Sequence, residues 1–120
     1  MRVRAVRGAT QLEEDSVDEM RLAVVDLLTT LFQENEISTD DLVSILFTAT
    51  PDIHSDFPAA AARTLDLGSI PLICAQEIDV AAALPRVVRV LVHAYSNRSH
   101  GEIKHIYRRG AAALRKDIAQ

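Results

Sequence analysis

Arg86-Val87-Val88-Arg89-Val90-Leu91-Val92-His93-Ala94-Tyr95 is rich in β-branched valine and reads as a strand, with Pro85 stopping whatever precedes it. Alternation places Arg89, Leu91, His93 and Tyr95 on one face and Val88, Val90, Val92 and Ala94 on the other. Both faces are mostly apolar, so the spacing predicts a strand buried on two sides. Arg89 is the exception, because a guanidinium at mid-strand is costly without a partner. It is either held in a buried ion pair, for which Glu77 is available, or it binds a ligand.

Glu77 lies in Ile70-Pro71-Leu72-Ile73-Cys74-Ala75-Gln76-Glu77-Ile78-Asp79. This stretch begins as a buried strand would, after Gly68, and then turns polar without a break. Gln76 and Glu77 either open a surface loop or face a ligand. A further strand is expected near the N-terminus, with Val3, Ala5 and Arg7 on one face, ending at Gly8 in Arg7-Gly8-Ala9-Thr10. Arg7 is then either solvated at the strand end or aimed into a site. Residues 42–48 read as another strand.

Ser16-Val17-Asp18-Glu19 has the form of a capping box, in which the serine hydroxyl and the glutamate each satisfy a backbone amide. Met20, Val24, Leu27, Leu28 and Leu31 follow at helical spacing to about Asn35, a core-covering helix without chemistry on it. Residues 49–58 have the Pro, Asp and Ser density of an ordered loop. Asp56 is placed to cap a short helix with Pro58 in its first turn and Arg63 at its end. Phe57 reads either as a staple to the core or as a ligand contact. Residues 101–106 read as a turn or short helix, and residues 110–115 have helix propensity.

The chain has 120 residues, 48% of them hydrophobic and 25% charged, which fits one globular domain spanning 1–120. Its formal net charge of −4 and few aromatics argue against nucleic acid as a partner. No apolar run is long enough for a membrane span, and Met1-Arg2-Val3-Arg4 lacks a signal peptide's apolar core. A lone cysteine forms no intrachain disulfide, so a reducing cytoplasm is the expected compartment. His54, His93, His100 and His105 lack metal-ligand spacing, and Cys74 has no adjacent activating histidine. Neither a nucleophile elbow, a phosphate loop nor a dinucleotide fingerprint is present. What remains is a set of arginines with a carboxylate, a tyrosine and a thiol, which suits a small polyanion.

Several motifs together carry a resemblance. Arg7-Gly8-Ala9-Thr10, Ala49-Thr50-Pro51-Asp52, Phe57-Pro58-Ala59 with Arg63, Cys74-x-Gln76-Glu77-x-Asp79, Arg89 on its strand, Tyr107 and Leu114-Arg115 are all in order. The chain thereby resembles the AroH class of monofunctional chorismate mutases over nearly its whole length. The resemblance implies an α+β fold, a mixed β-sheet with helices packed on it, and a homotrimer whose sheets form a barrel-like core. It implies active sites between subunits and rearrangement of chorismate to prephenate, for aromatic amino acid synthesis, without a cofactor, a metal or a covalent intermediate.

Carried onto this chain, the resemblance makes Arg89, Glu77 and Arg7 the catalytic residues. Arg89 faces the ether oxygen, Arg7 and Tyr107 hold a carboxylate, and Glu77 and Cys74 face the ring hydroxyl. Phe57 forms an apolar wall, Arg63 and Arg115 supply charge at the mouth, and Ala59, Ile73 and Leu114 are neighbouring contacts. Ala60 stands where the family can carry lysine, and Ile73 where it can carry threonine. The chain ends five residues after Arg115, without a long tail to close over the site. The resemblance also implies that residues 107–114 continue as strand or ordered segment, against their helix propensity. On residues alone, the reading stops at a small-anion-binding α+β domain, and a non-catalytic or regulatory trimer with the same cleft is the alternative.

Overall fold

The structure, a computed structural model, describes the backbone of residues 1–118 and the side chains of residues 1–114. Five strands form one mixed sheet: β1 (Arg2–Gln11), β2 (Leu42–Ala49), β3 (Leu72–Gln76), β4 (Val87–Ser96) and β5 (Ile106–Tyr107), in the order β3-β2-β4-β1-β5. The central β4 runs antiparallel to β1 and β2, while β3 is parallel to β2 and β5 to β1. Two helices, α1 (Val17–Glu34) and α2 (Pro58–Ala62), pack on one face, giving an α+β fold.

The core lies between that face and α1. Val6, Ile45, Phe47, Val88, Val90, Val92 and Ala94 meet Met20, Ala23, Val24, Leu27, Leu28 and Leu31, all buried. Burying one such aliphatic side chain is worth about 1.5–3 kcal/mol, so the apolar stripe of α1 fixes which sheet face is inside. The other face stays open. Arg89, Leu91 and His93 on β4 are only partly buried and Tyr95 is exposed, so the expectation of burial on two sides does not hold for the single chain.

Other expectations are corrected by packing. β1 does not end at Gly8 but continues to Gln11. The glycine serves close approach instead: a Cβ there would lie 3.1 Å from Leu27 Cδ1, 3.1 Å from Val90 Cγ2 and 3.2 Å from the carbonyl oxygen of Ile106. The stretch after Gly68 is not a buried strand; β3 is a sheet edge with Ile73, Ala75 and Gln76 exposed.

Only half of the capping box at α1 forms. Ser16 Oγ accepts from the Glu19 amide at 3.1 Å, but Glu19 Oε1 turns to the Glu13 amide and the Arg109 guanidinium. Phe57, not Asp56, occupies the cap position of α2, with Pro58 first in the helix. Phe57 is 69% exposed, which rules out the core staple. After β5 the chain forms neither strand nor α-helix but a 3-10 helix, Arg109–Ile118.

Buried Asn35 ends α1 and holds the segment before β5. Its Nδ2 donates to the carbonyl oxygens of Leu31 (3.0 Å) and Lys104 (2.8 Å), and its Oδ1 accepts from the Lys104 amide (2.8 Å). Asp26 grips the other side of β5 through two bonds from Arg108, 3.0 and 3.2 Å, which hold that guanidinium above its ordinary pKa. These clamps decide where Tyr107 stands. No helix of the described residues is long and apolar enough to cross a membrane.

Candidate active site

Strand register collects the candidate residues on the open face. Tyr107, Ala9, Arg89, Thr48 and Ala75 form one lateral row across all five strands. Arg7, Leu91, Leu46 and Ile73 form the next row along. Arg7 is therefore the diagonal neighbour of Arg89, a Cα spacing of roughly 7–8 Å.

Glu77 follows β3 and keeps the register with a bond from its amide to the Ala49 carbonyl, 2.9 Å. That bond turns its carboxylate over the open face. Arg89 Nε donates to Glu77 Oε2 at 3.1 Å, and Thr48 Oγ1 donates to the same oxygen at 2.7 Å. The ion pair expected between Arg89 and Glu77 thus forms, but at a cleft and not in the core. The Arg89 side chain is 43% exposed and that of Glu77 18%. Nε is the Arg89 nitrogen, and Oε2 the Glu77 oxygen, that make this contact. Leu114, Asp52, Val80 and Leu84 join the pair in lining a cleft of about 380 Å³.

A second cleft, about 370 Å³, opens beside β3 between Phe57, Cys74, Gln76 and the loop at His54 and Ser55. Cys74 pairs with Phe47 in register, so it points to the helix-bearing side, away from Arg89. Arg63 caps α2 and lines a neighbouring hollow with Leu72. Ala59 is 4% exposed and lies within the core. One chain therefore divides the candidate residues in two. Arg7, Glu77, Arg89, Tyr107 and Leu114 belong with the open face; Phe57, Arg63 and Cys74 belong with the α2 edge. Ile73 faces the open side from the edge strand, and the side chain of Arg115 lies outside the described residues.

Sequence reading missed the residues that hold these two groups. Thr48 is an ordinary β-branched strand residue until register puts it beside Glu77. His105 Nδ1 accepts from the Arg7 amide at 2.9 Å, supporting the β1 edge where Arg7 stands. Asp15 fixes the loop before Phe57, accepting from the amides of His54 (2.7 Å) and Ser55 (3.1 Å). Burial pushes the Asp15 carboxyl up, but hydrogen bonding from Ser55 and His54 outweighs it and leaves the group below its ordinary value.

The chain is similar to known proteins in sequence and in fold. The family model for chorismate mutase type I matches residues 3–118. The chain is 38% identical to the chorismate mutase AroH of Thermus thermophilus over 117 residues, covering 97% of this chain and 96% of that one. It is 35% identical to the chorismate mutase AroH of Bacillus subtilis (strain 168) over 120 residues, covering 99% and 94%. Among solved structures, a chorismate mutase from Clostridium thermocellum superposes with a TM-score of 0.90 at 38% identity, covering 92% of this chain and 99% of that chain. With matches that span nearly its full length in sequence and in fold, the chain belongs to the chorismate mutase type I family.

Proposed function

We infer that the chain catalyses the rearrangement of chorismate to prephenate, in the cytoplasm and in aromatic amino acid synthesis. The observation that supports this reading is the Arg89–Glu77 pair, bonded through Nε and Oε2, at an open cleft. In the reaction an ether C–O bond breaks while a C–C bond forms in the same molecule. Electrons move around one ring of atoms, so the chain supplies neither nucleophile nor proton. Negative charge grows on the ether oxygen as the bond stretches. A guanidinium already fixed by Glu77 stabilises that charge without reorganising, and this is the role of Arg89.

Arg7, diagonal to Arg89, and Tyr107, in its row, hold a carboxylate and keep the side chain folded over the ring. Glu77 accepts from the ring hydroxyl through Oε1. Leu114 closes the side of this cleft. Phe57, Arg63 and Cys74 of a neighbouring subunit complete the site, with Ile73 and Ala59 as nearby contacts and Arg115 adding charge at the mouth.

The uncovered sheet supports assembly as a homotrimer. Val3, Ile73 and Tyr95 are 46%, 64% and 47% exposed on the face opposite α1 and α2. Packing three such faces together makes a barrel-like core and brings one chain's α2 edge to the next chain's Arg89. Binding without turnover is disfavoured, because simple carboxylate capture has no use for a charge aimed at an ether oxygen.

Loss of chorismate absorbance with the purified protein tests the reaction, and turnover no faster than the spontaneous rate refutes it. Mixing Arg89→Ala and Arg63→Ala subunits tests the shared site. Random trimers would restore about a quarter of the clefts if each is built from two chains, and none if each is built from one.

A further inference from the structure

Glu77 Oε2 accepts two hydrogen bonds, from Arg89 Nε at 3.1 Å and from Thr48 Oγ1 at 2.7 Å. The threonine bond is the shorter, and it comes from a different strand. Thr48 lies on β2 directly across from Arg89 on β4, so two rigid strands hold one carboxylate oxygen from two directions. A glutamate held by one donor can swing about its last torsions; held by two fixed donors it cannot. Resting on the chorismate mutase reading, we propose that Thr48 is a positioning residue for the reaction. It locks the Glu77 carboxylate so that Oε2 orients Arg89 toward the ether oxygen and Oε1 toward the ring hydroxyl. Thr48 itself does not touch the substrate.

The hydroxyl also sets a polarity. Thr48 Oγ1 spends its only proton on Glu77, so the bond requires that oxygen to act as acceptor. A methyl in its place would leave Oε2 with one partner and an apolar neighbour. The pair would then drift by a fraction of an ångström to about an ångström, the scale on which misplacement becomes expensive for a preorganised site. Because the fault lies in aiming the guanidinium at a charge that exists only in the transition state, kcat falls more than KM rises.

The test compares wild type with Thr48→Val, Thr48→Ser, Glu77→Ala and the Thr48→Val/Glu77→Ala double variant in chorismate turnover. Thr48→Val should lower kcat by about tenfold or more, the usual effect of losing a hydrogen bond to a charged group. Thr48→Ser, which retains the hydroxyl, should recover most of that loss. In the Glu77→Ala background there is no carboxylate to hold, so Thr48→Val should add little. Circular dichroism and size exclusion check each variant; if valine disturbs folding, Thr48→Ala carries the same comparison. Wild-type kcat in folded Thr48→Val, failure of serine to rescue, or simple additivity with Glu77→Ala each overturns the role of Thr48. An inactive wild type would instead overturn the reaction on which the role rests.

Discussion

Arg89→Ala separates what this side chain does for the fold from what it does for the reaction. Its ion pair with Glu77 is 3.1 Å long, but the arginine side chain is 43% exposed and the glutamate 18%. Discounted for solvent, such a pair is worth about 0.5–1 kcal/mol of stability. That corresponds to a fall in Tm of roughly 2–6 °C for a chain of this size. Glu77 keeps Thr48 as a partner, so no carboxylate is stranded without a hydrogen bond. The loss of transition-state stabilisation is far larger, about 2.7–4 kcal/mol, or 10²–10³ in kcat. Chorismate consumption at saturating substrate, beside a thermal melt and size exclusion, reads the two effects on one preparation.

Arg89→Lys sharpens the comparison. Lysine keeps the charge but not the fork, so one ammonium cannot serve Glu77 and the ether oxygen with fixed geometry. It should regain the melting temperature and only part of the rate. Activity of Arg89→Ala within about tenfold of wild type, or full activity of Arg89→Lys, would refute electrostatic aiming by Arg89. A drop in Tm much beyond the range above would show that the pair was structural after all.

Three further predictions follow from neighbouring features. Gly8→Ala brings a Cβ within 3.1–3.2 Å of Leu27, Val90 and the Ile106 carbonyl, so it should cost about 1–3 kcal/mol and displace β5 with Tyr107, read by denaturant melts and by a rise in KM. The folded-state carboxyl of Asp15 lies below its ordinary value, so its contribution is present above that value and lost as pH falls through the lowered one. Melts of Asp15→Asn should therefore be lower at neutral pH and lack that acid-side loss, and its KM should rise as the loop before Phe57 loosens. Ala60→Lys adds a cation beside the Arg63 end of α2 and should lower KM with kcat nearly unchanged, by steering a dianion to the mouth.

Helix α1 and strand β4 were legible because each satisfies a strong period: buried leucines at helical spacing, and valines in alternation. Burial on the second face of β4 was misjudged for a reason of the same kind. An apolar side chain says that something covers it, and not whether the cover belongs to the same chain. Gly8 was read as a strand stop because glycine disfavours strands, yet here its missing side chain lets Leu27 and β5 approach. The 3-10 segment 109–118 starts where Arg108 and Arg109 reach Asp26 and Glu19 on α1, partners about eighty to ninety positions away that no local propensity encodes. Arg89 and Glu77 could be suspected from their cost in an apolar setting. Thr48, Asp15, Asn35 and His105 could not, since each meets its partners only through register or a contact distant in sequence.

On the proposed reading, the two faces of the sheet divide stability from chemistry. Most large side chains of the core belong to the cluster under α1, where burial rewards apolar area and penalises any unpaired charge. Arg7, Arg89, Glu77 and Thr48 stand on the other face, where the same penalty is reduced by solvent and by one another. The fold can thus carry two arginines and a carboxylate on its most buried strand or within two strands of it without unsettling the core. Their field also remains local. A chain of net charge −4 can still bind a dianion where the nearest charges, and not the sum over the surface, set the potential. Closing the open face against other copies of the chain would exclude water from the arginines once substrate is present and so strengthen the charge–charge terms that drive the reaction. In the proposed trimer, assembly and catalysis would draw on the same uncovered surface, which mixes Val3, Leu91 and Tyr95 with arginine.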